Sequence, residues 1–261
     1  MSRRILLLGA SGQVGRAIAI YASQTHGIDM VAASRSHQDP SLRFALDVPP
    51  TIFDLIGRAR PDHVILSAAS TNVAWCEAYP DESRLANVAG VAATARACLA
   101  VGSTLTFISS DYVFDGIRGP AGEVDPTNPI NEYGHQKRAA EVEVLAQDPA
   151  NLIVRTCQVF GIDPRRANYV ARIADRLRAN EAVEAAGESF LSRYDLALAV
   201  ARAFGHTGAR IAEVRTNQPM DDVRRPRNAG LRNDRLHAEG LDPMMPLDRA
   251  LELFAAAGIA P

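Results

Sequence analysis

At 261 residues the chain is long enough to bury a large core, as one domain or as one plus a smaller lobe. Its 28 Lys and Arg nearly balance 30 Asp and Glu, leaving a formal net charge of -2. That balance excludes the strong single-sign field of a nucleic-acid or membrane-surface binder.

The chain opens with Arg4-Ile-Leu-Leu-Leu, an apolar run without polar alternation, which reads as a strand buried on both faces of a parallel sheet. It runs into Gly9-Ala-Ser-Gly12-Gln-Val-Gly15 and then a helical pattern with Val14, Ala17, Ile18 and Tyr21 on one side. Glycines in such a G-x-x-G-x-x-G turn permit a tight bend and close approach of backbone N–H groups to a pyrophosphate. A helix N-terminus attracts the same group. Gly9, Ser11, Gly12, Gln13, Val14 and Gly15 are therefore candidate dinucleotide-binding residues.

Asp29–Ala33 reads as a second strand, Thr51–Arg60 as a helix ending at Pro61, and His63–Ser67 as a third strand. Asp81–Val101 is one long helix with Leu85, Val88, Val91 and Ala92 apolar, stopped by Gly102. A strand over Thr104–Ile108, a helix over Tyr133–Gln147 and a strand over Leu152–Arg155 follow. Repeated β-α-β units predict an α/β, doubly wound parallel (Rossmann) sheet. Ligands gather beyond the carboxyl ends of such strands. The segments Gly9–Gly15, Ser67–Thr71, Ser109–Asp115 and Thr156–Gly161 are thus expected to meet.

From about Phe160 the pattern loosens. Helices over Tyr169–Ala179 and Tyr194–Phe204, a strand over Ile211–Arg215, a loop over Met220–Asn233 and a last helix over Leu247–Ala257 are expected. Residues 1–160 read as a dinucleotide-binding core, and 161–261 as a small substrate-binding lobe with elements completing that core.

Chemistry concentrates in Ile108–Gly116, ISSDYVFDG, followed by Tyr133-Gly-His-Gln-Lys137. Four residues turn a helix by about 400°, so Tyr133 and Lys137 share one face, while His135 points elsewhere. A Lys ammonium beside the phenol is expected to lower its pKa, making Tyr133 a general acid toward a ketone or a base toward an alcohol. Ser110 supplies a hydroxyl for the same oxygen. Asp111 and Asp115 read either as paired carboxylates or, more simply, as turn caps.

Ser34-Arg35-Ser36 follows the second strand, where an NAD enzyme often carries an acid for the ribose diol. Arg35 there suits a 2′-phosphate, so NADP is expected and NAD is the alternative. The six histidines, His26, His37, His63, His135, His206 and His237, show no metal-ligand spacing, and no metal is expected. Cys76, Cys98 and Cys157 are scattered packing residues that fit a reducing compartment. With the first strand beginning within a few residues and no apolar stretch expected to span a bilayer, a cytoplasmic location without membrane or nucleic-acid partners is anticipated. Arg224-Arg225-Pro-Arg227 reads equally as a phosphate clamp and as a solvated loop.

GASGQVGR, SAASTNVAWCEAYP, Asn87, ISSDYVFDG, the Glu123–Pro129 run, YGHQK and RTCQVFG occur in one order that resembles the extended short-chain dehydrogenase/reductases. The most similar branch is that of the dTDP-4-dehydrorhamnose reductases. The S-S-D-Y-V-F-D-G string is also similar to the regulatory beta subunit of methionine adenosyltransferase, an NADP-binding relative. The resemblance implies that Ser110, Tyr133 and Lys137 form the catalytic trio and that Lys137 also holds the nicotinamide ribose. It implies that Asp47 and Val48 lie at the adenine, Ala68 and Ala69 along the ribose and pyrophosphate, and Thr71, Val73, Asp111, Tyr112 and Gln158 at the substrate. Gln158 stands where the family has a Trp, the D-Q-x-G-x-P-T segment is replaced by Ala185–Ser192, and Trp75 and Cys76 alter the loop near the sugar.

The function implied is NADP-dependent reduction of a small-molecule carbonyl, a nucleotide-linked 4-keto-deoxysugar first, with Tyr133 as proton donor. A non-catalytic NADP-binding regulatory subunit is the second reading and a sugar-nucleotide epimerase or dehydratase the third. The helices over Asp81–Val101 and Tyr133–Gln147 resemble those through which relatives form homodimers, although an apolar face is equally expected against the sheet.

Overall fold

The computed structural model describes residues 2–157, 159–161, 168–186, 211–214, 223–226, 230–240 and 247–256. It divides into two compact units, one of Met1–Val113 with Pro129–Thr156 and one of Phe114–Asn128 with Cys157–Pro261. The expected helix over Tyr194–Phe204, and Gln158, lie outside the described residues.

In the first unit, strands β1 (Arg3–Leu8), β2 (Ile28–Ala33), β3 (His63–Leu66), β4 (Thr104–Ser110) and β5 (Leu152–Thr156) form a five-stranded sheet in the order β2-β1-β3-β4-β5. Every neighbouring pair is parallel, as the repeated β-α-β order requires. Crossovers are carried by α1 (Gln13–Ser23), α2 (Pro49–Ala59), α3 (Val73–Ala78), α4 (Pro80–Val101) and α5 (Glu132–Gln147). One core joins Leu6, Leu8, Val64, Leu66, Leu105 and Phe107 of the sheet to Ile52, Leu55 and Ile56 of α2, Val91 and Ala93 of α4, and Ala140 and Val144 of α5. Alanines and Gly90 let α4 lie close: a Cβ on Gly90 would stand 2.2 Å from the carbonyl oxygen of Leu46.

Four expectations are corrected. On α1 the inward residues are Gly15 and Ala22, while Tyr21 is 70% exposed. Gly15 faces the turn so closely that a Cβ there would meet the Gly9 carbonyl oxygen at 2.2 Å. That contact fixes the rotation of α1 and turns Ala17 and Tyr21 outward. The long helix is not regular, because Leu85–Gly90 forms a π-helical turn that sends Leu85 outward and buries Asn87. By length and composition alone α4 is long and apolar enough to cross a membrane, contrary to the sequence reading, yet half of that window is buried inside the protein. The loop expected between β3 and α4 also contains α3, capped by Asn72, whose Oδ1 accepts from the Trp75 N–H at 3.0 Å.

The second unit includes the helix Tyr169–Arg178, started by Asn168, whose side chain accepts from the Ala171 N–H. Strands β6 (Val183–Ala186) and β7 (Ile211–Val214) pair in parallel. Ala121 bridges Leu231, and Arg232 binds Asp234 and Asp125 beside it. Helices Asp234–Ala238 and Leu247–Ala256 follow.

Candidate active site

The parallel register puts the carboxyl ends of β1 to β4 on one edge. Leu8 pairs with Ala33 and Leu66, and Leu66 with Phe107. Gly9 leaves β1 with φ +103°, a left-handed value that glycine tolerates, and its N–H donates to the Ala33 carbonyl at 3.0 Å. A Cβ at Gly9 would stand 2.6 Å from the Ala68 nitrogen. The glycine turn and the Ala68-Ala69 segment therefore touch. Gly12 is the N-cap of α1 and provides no side-chain cap, so the first-turn N–H groups of Gln13 and Val14 stay available to a ligand. Gln13 Nε2 is buried without a partner. A loop that a Cβ would fill, uncapped N–H groups and an orphaned amide donor form a cradle of the right chemistry for a pyrophosphate.

Farther along the same edge, Arg35 and Asp47 meet as an ion pair, both largely exposed. Val48 is also exposed at the start of α2. The segment carrying Ala69 and Thr71 is pinned by Asn87: its Oδ1 accepts from the Ser70 N–H at 2.8 Å, and its Nδ2 donates to the Ser70 carbonyl at 3.0 Å. Asn87 Nδ2 also donates to Gln136 Oε1 at 2.8 Å, and Gln136 Nε2 donates to Ser83 Oγ at 2.6 Å. This chain ties the loop after β3 to α5. Val73 begins α3, and Thr71 is exposed before it.

The candidate reactive groups gather at the β4 edge. Ser110 ends β4, and Asp111, Tyr112 and Val113 follow as one 3-10 turn. α5 starts at Asn131, whose Oδ1 accepts from the Gly134 N–H at 2.9 Å. Tyr133 and Lys137 then lie one turn apart, and both are buried. Gly134 lets α5 approach the Asp111 turn, since a Cβ there would sit 2.2 Å from the Tyr112 carbonyl oxygen. The rings of Tyr112 and Tyr133 meet edge to face, with centroids 5.8 Å apart. His135 is exposed on the opposite side of the helix, as expected.

The electrostatics differ from the sequence expectation. Burial, not the lysine, dominates Tyr133 and holds its phenol well above the usual tyrosine value, with the Ser110 hydrogen bond pulling the other way. Lys137 donates from Nζ to the Ile108 carbonyl at 2.8 Å and lies 4.4 Å from the centre of the Phe107 ring. Burial pushes its pKa down to about 7, against the opposing charge of Glu141. The lysine is thus engaged with the backbone, and the phenol is kept protonated.

Asp111 is also no surface cap. It is 4% exposed, accepts from Ser110 Oγ at 2.9 Å through Oδ1, and has Oδ2 buried without a partner. Burial raises it to about 7. Asp115 does cap its turn, accepting from the Ile117 N–H at 2.8 Å. Sequence reasoning gave no role to Asn87, Gln136 or Glu141. Glu141 is buried one turn beyond Lys137, where Arg155, Arg138 and Ser109 all bond its carboxylate. Its helical spacing from Lys137 was the available signal.

The chain is 26% identical to the methionine adenosyltransferase 2 subunit beta of Bos taurus, over 94% of its length and 85% of that protein. It is 29% identical to the dTDP-4-dehydrorhamnose reductase of Mycobacterium tuberculosis, over 98% of its length and 93% of that protein. The crystal structure of dTDP-4-dehydrorhamnose reductase from Bacillus anthracis, solved in complex with NADP, matches with a TM-score of 0.86 at 22% identity, over 98% of this chain and 100% of that one. Residues 3–187 match the family model described as the RmlD substrate binding domain, and with the parallel sheet and the glycine cradle in place, the chain belongs to that family.

Proposed function

We propose that the protein is an NADPH-dependent reductase of a carbonyl on a nucleotide-linked 4-keto-deoxysugar. The observation that carries this reading is the buried Ser110–Tyr133 pair, with Lys137 one helical turn on, at the same sheet edge as the glycine cradle. Gly9 to Gly15 would hold the pyrophosphate, Arg35 a 2′-phosphate, Asp47 and Val48 the adenine side, and Ala68 and Ala69 the ribose. When bound, the reduced nicotinamide supplies a hydride for the carbonyl carbon.

The protein's own residues manage the proton. In the cofactor-free protein burial keeps the Tyr133 phenol protonated, the state from which it would protonate a carbonyl oxygen. Ser110 orients the carbonyl oxygen and Tyr133 protonates it. Lys137 holds the ribose hydroxyls from its position on Ile108. Thr71, Val73 and Tyr112 would face the substrate. The thiols of Cys76 and Cys98, in no disulfide among the described residues, fit a cytoplasmic setting.

The test is NADPH oxidation with dTDP-4-dehydrorhamnose and a panel of nucleotide ketosugars and simple ketones, with Tyr133→Phe as control. Turnover lost in that variant supports the proposal, and a wild type silent across the panel sinks it. The likeness to the methionine adenosyltransferase beta subunit over 94% of the chain favours a second reading, an NADP-binding subunit without turnover. NADPH binding without oxidation, together with co-purification of a methionine adenosyltransferase chain, would select it.

A further inference from the structure

Asp111 is a feature that the reductase reading leaves unexplained. Its carboxyl is enclosed: Oδ1 accepts from Ser110 Oγ at 2.9 Å, and the backbone N–H groups of Asp111 and Tyr112 also bond the carboxyl, yet Oδ2 is sealed from solvent with no donor. A carboxylate with one bare buried oxygen is costly, whereas a carboxylic acid in that place is not. Ser110 Oγ also accepts from the Tyr112 N–H at 3.2 Å and is the hydrogen-bonding neighbour of the Tyr133 phenol. Asp111, Ser110 and Tyr133 therefore form one hydrogen-bonded line from an enclosed acid to the proton-donating phenol.

We infer that Asp111 stores the proton that restores Tyr133 after each reduction, passing it through the Ser110 hydroxyl. The inference rests on the reductase reading. A hydride reaches the carbonyl carbon as the Tyr133 O–H proton goes to the oxygen, so the C=O π bond becomes a C–H and an O–H bond. The phenolate takes the Ser110 hydroxyl proton, and Ser110 Oγ takes the proton of Asp111 Oδ1. Once product leaves, a proton from water returns through the vacated substrate side of the Ser110 hydroxyl to the enclosed Asp111 carboxylate, and the net reaction consumes one carbonyl, one hydride and one proton. The 2.9 Å contact serves both states: Ser110 donates to the carboxylate, and the acid donates to Ser110.

The neighbourhood favours this route. Tyr133 and Lys137 face the turn from α5, Tyr112 belongs to the turn, and Cys76 acts on both α5 residues from α3. Lys137 is the cationic group among these, and it is held by the Ile108 carbonyl. Glu141, farther along α5, is saturated by Arg138, Arg155 and Ser109. A neutral pH range for the Asp111 carboxyl agrees with a group that must both hold and release a proton. Asp111 acts through Ser110, so it is a positioning residue for the proton and not a group on the reacting atoms.

The test has two arms. Carboxyl-13C aspartate labelling of the full-length protein, with Asp111→Asn for assignment, should show one carboxyl still protonated at pH 6 and titrating near neutrality. A carboxyl at Asp111 that is already ionised at pH 5 overturns the inference whatever the enzyme reduces. In the second arm, NADPH oxidation with dTDP-4-dehydrorhamnose should slow as pH rises through neutrality. Asp111→Asn should lose that limb, with kcat falling about a hundredfold while KM changes little. An unchanged limb in the variant overturns the relay. A silent wild type overturns the reductase reading and the relay with it, and the carboxyl titration then distinguishes that failure from a mistaken protonation state.

Discussion

The guanidinium of Arg35 closes on the carboxylate of Asp47, joining the residue proposed to hold a 2′-phosphate to the one proposed for the adenine side. Both side chains are largely exposed, so the pair adds at most about 1 kcal/mol to stability. Under the proposed function its importance would lie in cofactor choice, because the arginine would have to turn from Asp47 to a phosphate. Arg35→Ala should weaken NADPH binding by roughly ten- to a hundredfold, the range of one charge-assisted bond, and leave NADH nearly unchanged. Fluorescence titration of both cofactors checks this, and an unaltered melting temperature confirms that folding is not the cause.

Gly134 sets the distance between the helix carrying Tyr133 and the turn that follows Ser110. An added Cβ would lie 2.2 Å from the Tyr112 carbonyl and 3.0 Å from Pro129 Cβ. The first neighbour is backbone and cannot yield without moving Asp111. Gly134→Ala should therefore destabilise the protein by about 1–3 kcal/mol despite the better helix propensity of alanine. Urea unfolding measures it. Gly57, with nothing within 4 Å of an added Cβ, is the control: Gly57→Ala should be neutral or stabilising.

The contrast shows what could be read in advance. Strand β1 was legible because parallel strands buried on both faces leave continuous apolar runs, here Ile5–Leu8. Tyr133 and Lys137 were legible because helical spacing alone puts them on one face. The phase of α1 was not, because it follows from Gly15 pressing on the Gly9 carbonyl and not from the pattern of Val14, Ile18 and Tyr21. Nor was the state of Lys137: proximity to a phenol suggested mutual charge effects, but enclosure dominates both groups. Asn87 was hidden for a related reason. Its partners Ser70 and Gln136 are distant in sequence and meet only when the sheet brings α4 and α5 together.

Asn87 offers a direct measure of that tie. It satisfies both backbone groups of Ser70 as well as the Gln136 carbonyl, at 2.8–3.0 Å. Asn87→Ala leaves buried donors and acceptors unpaired, at about 1–3 kcal/mol for each group that water does not reach. The loop bearing Ala69 and Thr71 would loosen with it. Thermal unfolding should show the loss, and NADPH should bind several-fold more weakly. Asn87→Asp should recover little, because a carboxylate accepts from the Ser70 N–H but cannot donate to Gln136 or to the Ser70 carbonyl.

Asp111 and Lys137 give the cofactor-free protein opposite pH dependences. The Asp111 pKa rises from 3.8 to about 7 on folding. Between those values the folded state binds more protons than the unfolded chain, so this contribution to stability is full below 3.8 and falls as pH climbs toward 7. The Lys137 pKa drops from 10.5 to about 7. Between 7 and 10.5 the unfolded chain binds the extra proton, so stability rises with pH across that window. The two slopes place a shallow minimum in the stability of the wild type near neutrality. Asp111→Asn should flatten the acid side alone, and Lys137→Met the alkaline side alone, with a gain in stability at neutral pH. Urea midpoints from pH 5 to pH 9 measure both slopes. A wild-type profile that is already flat on both sides means that water or structural relaxation solvates these two charges despite their burial.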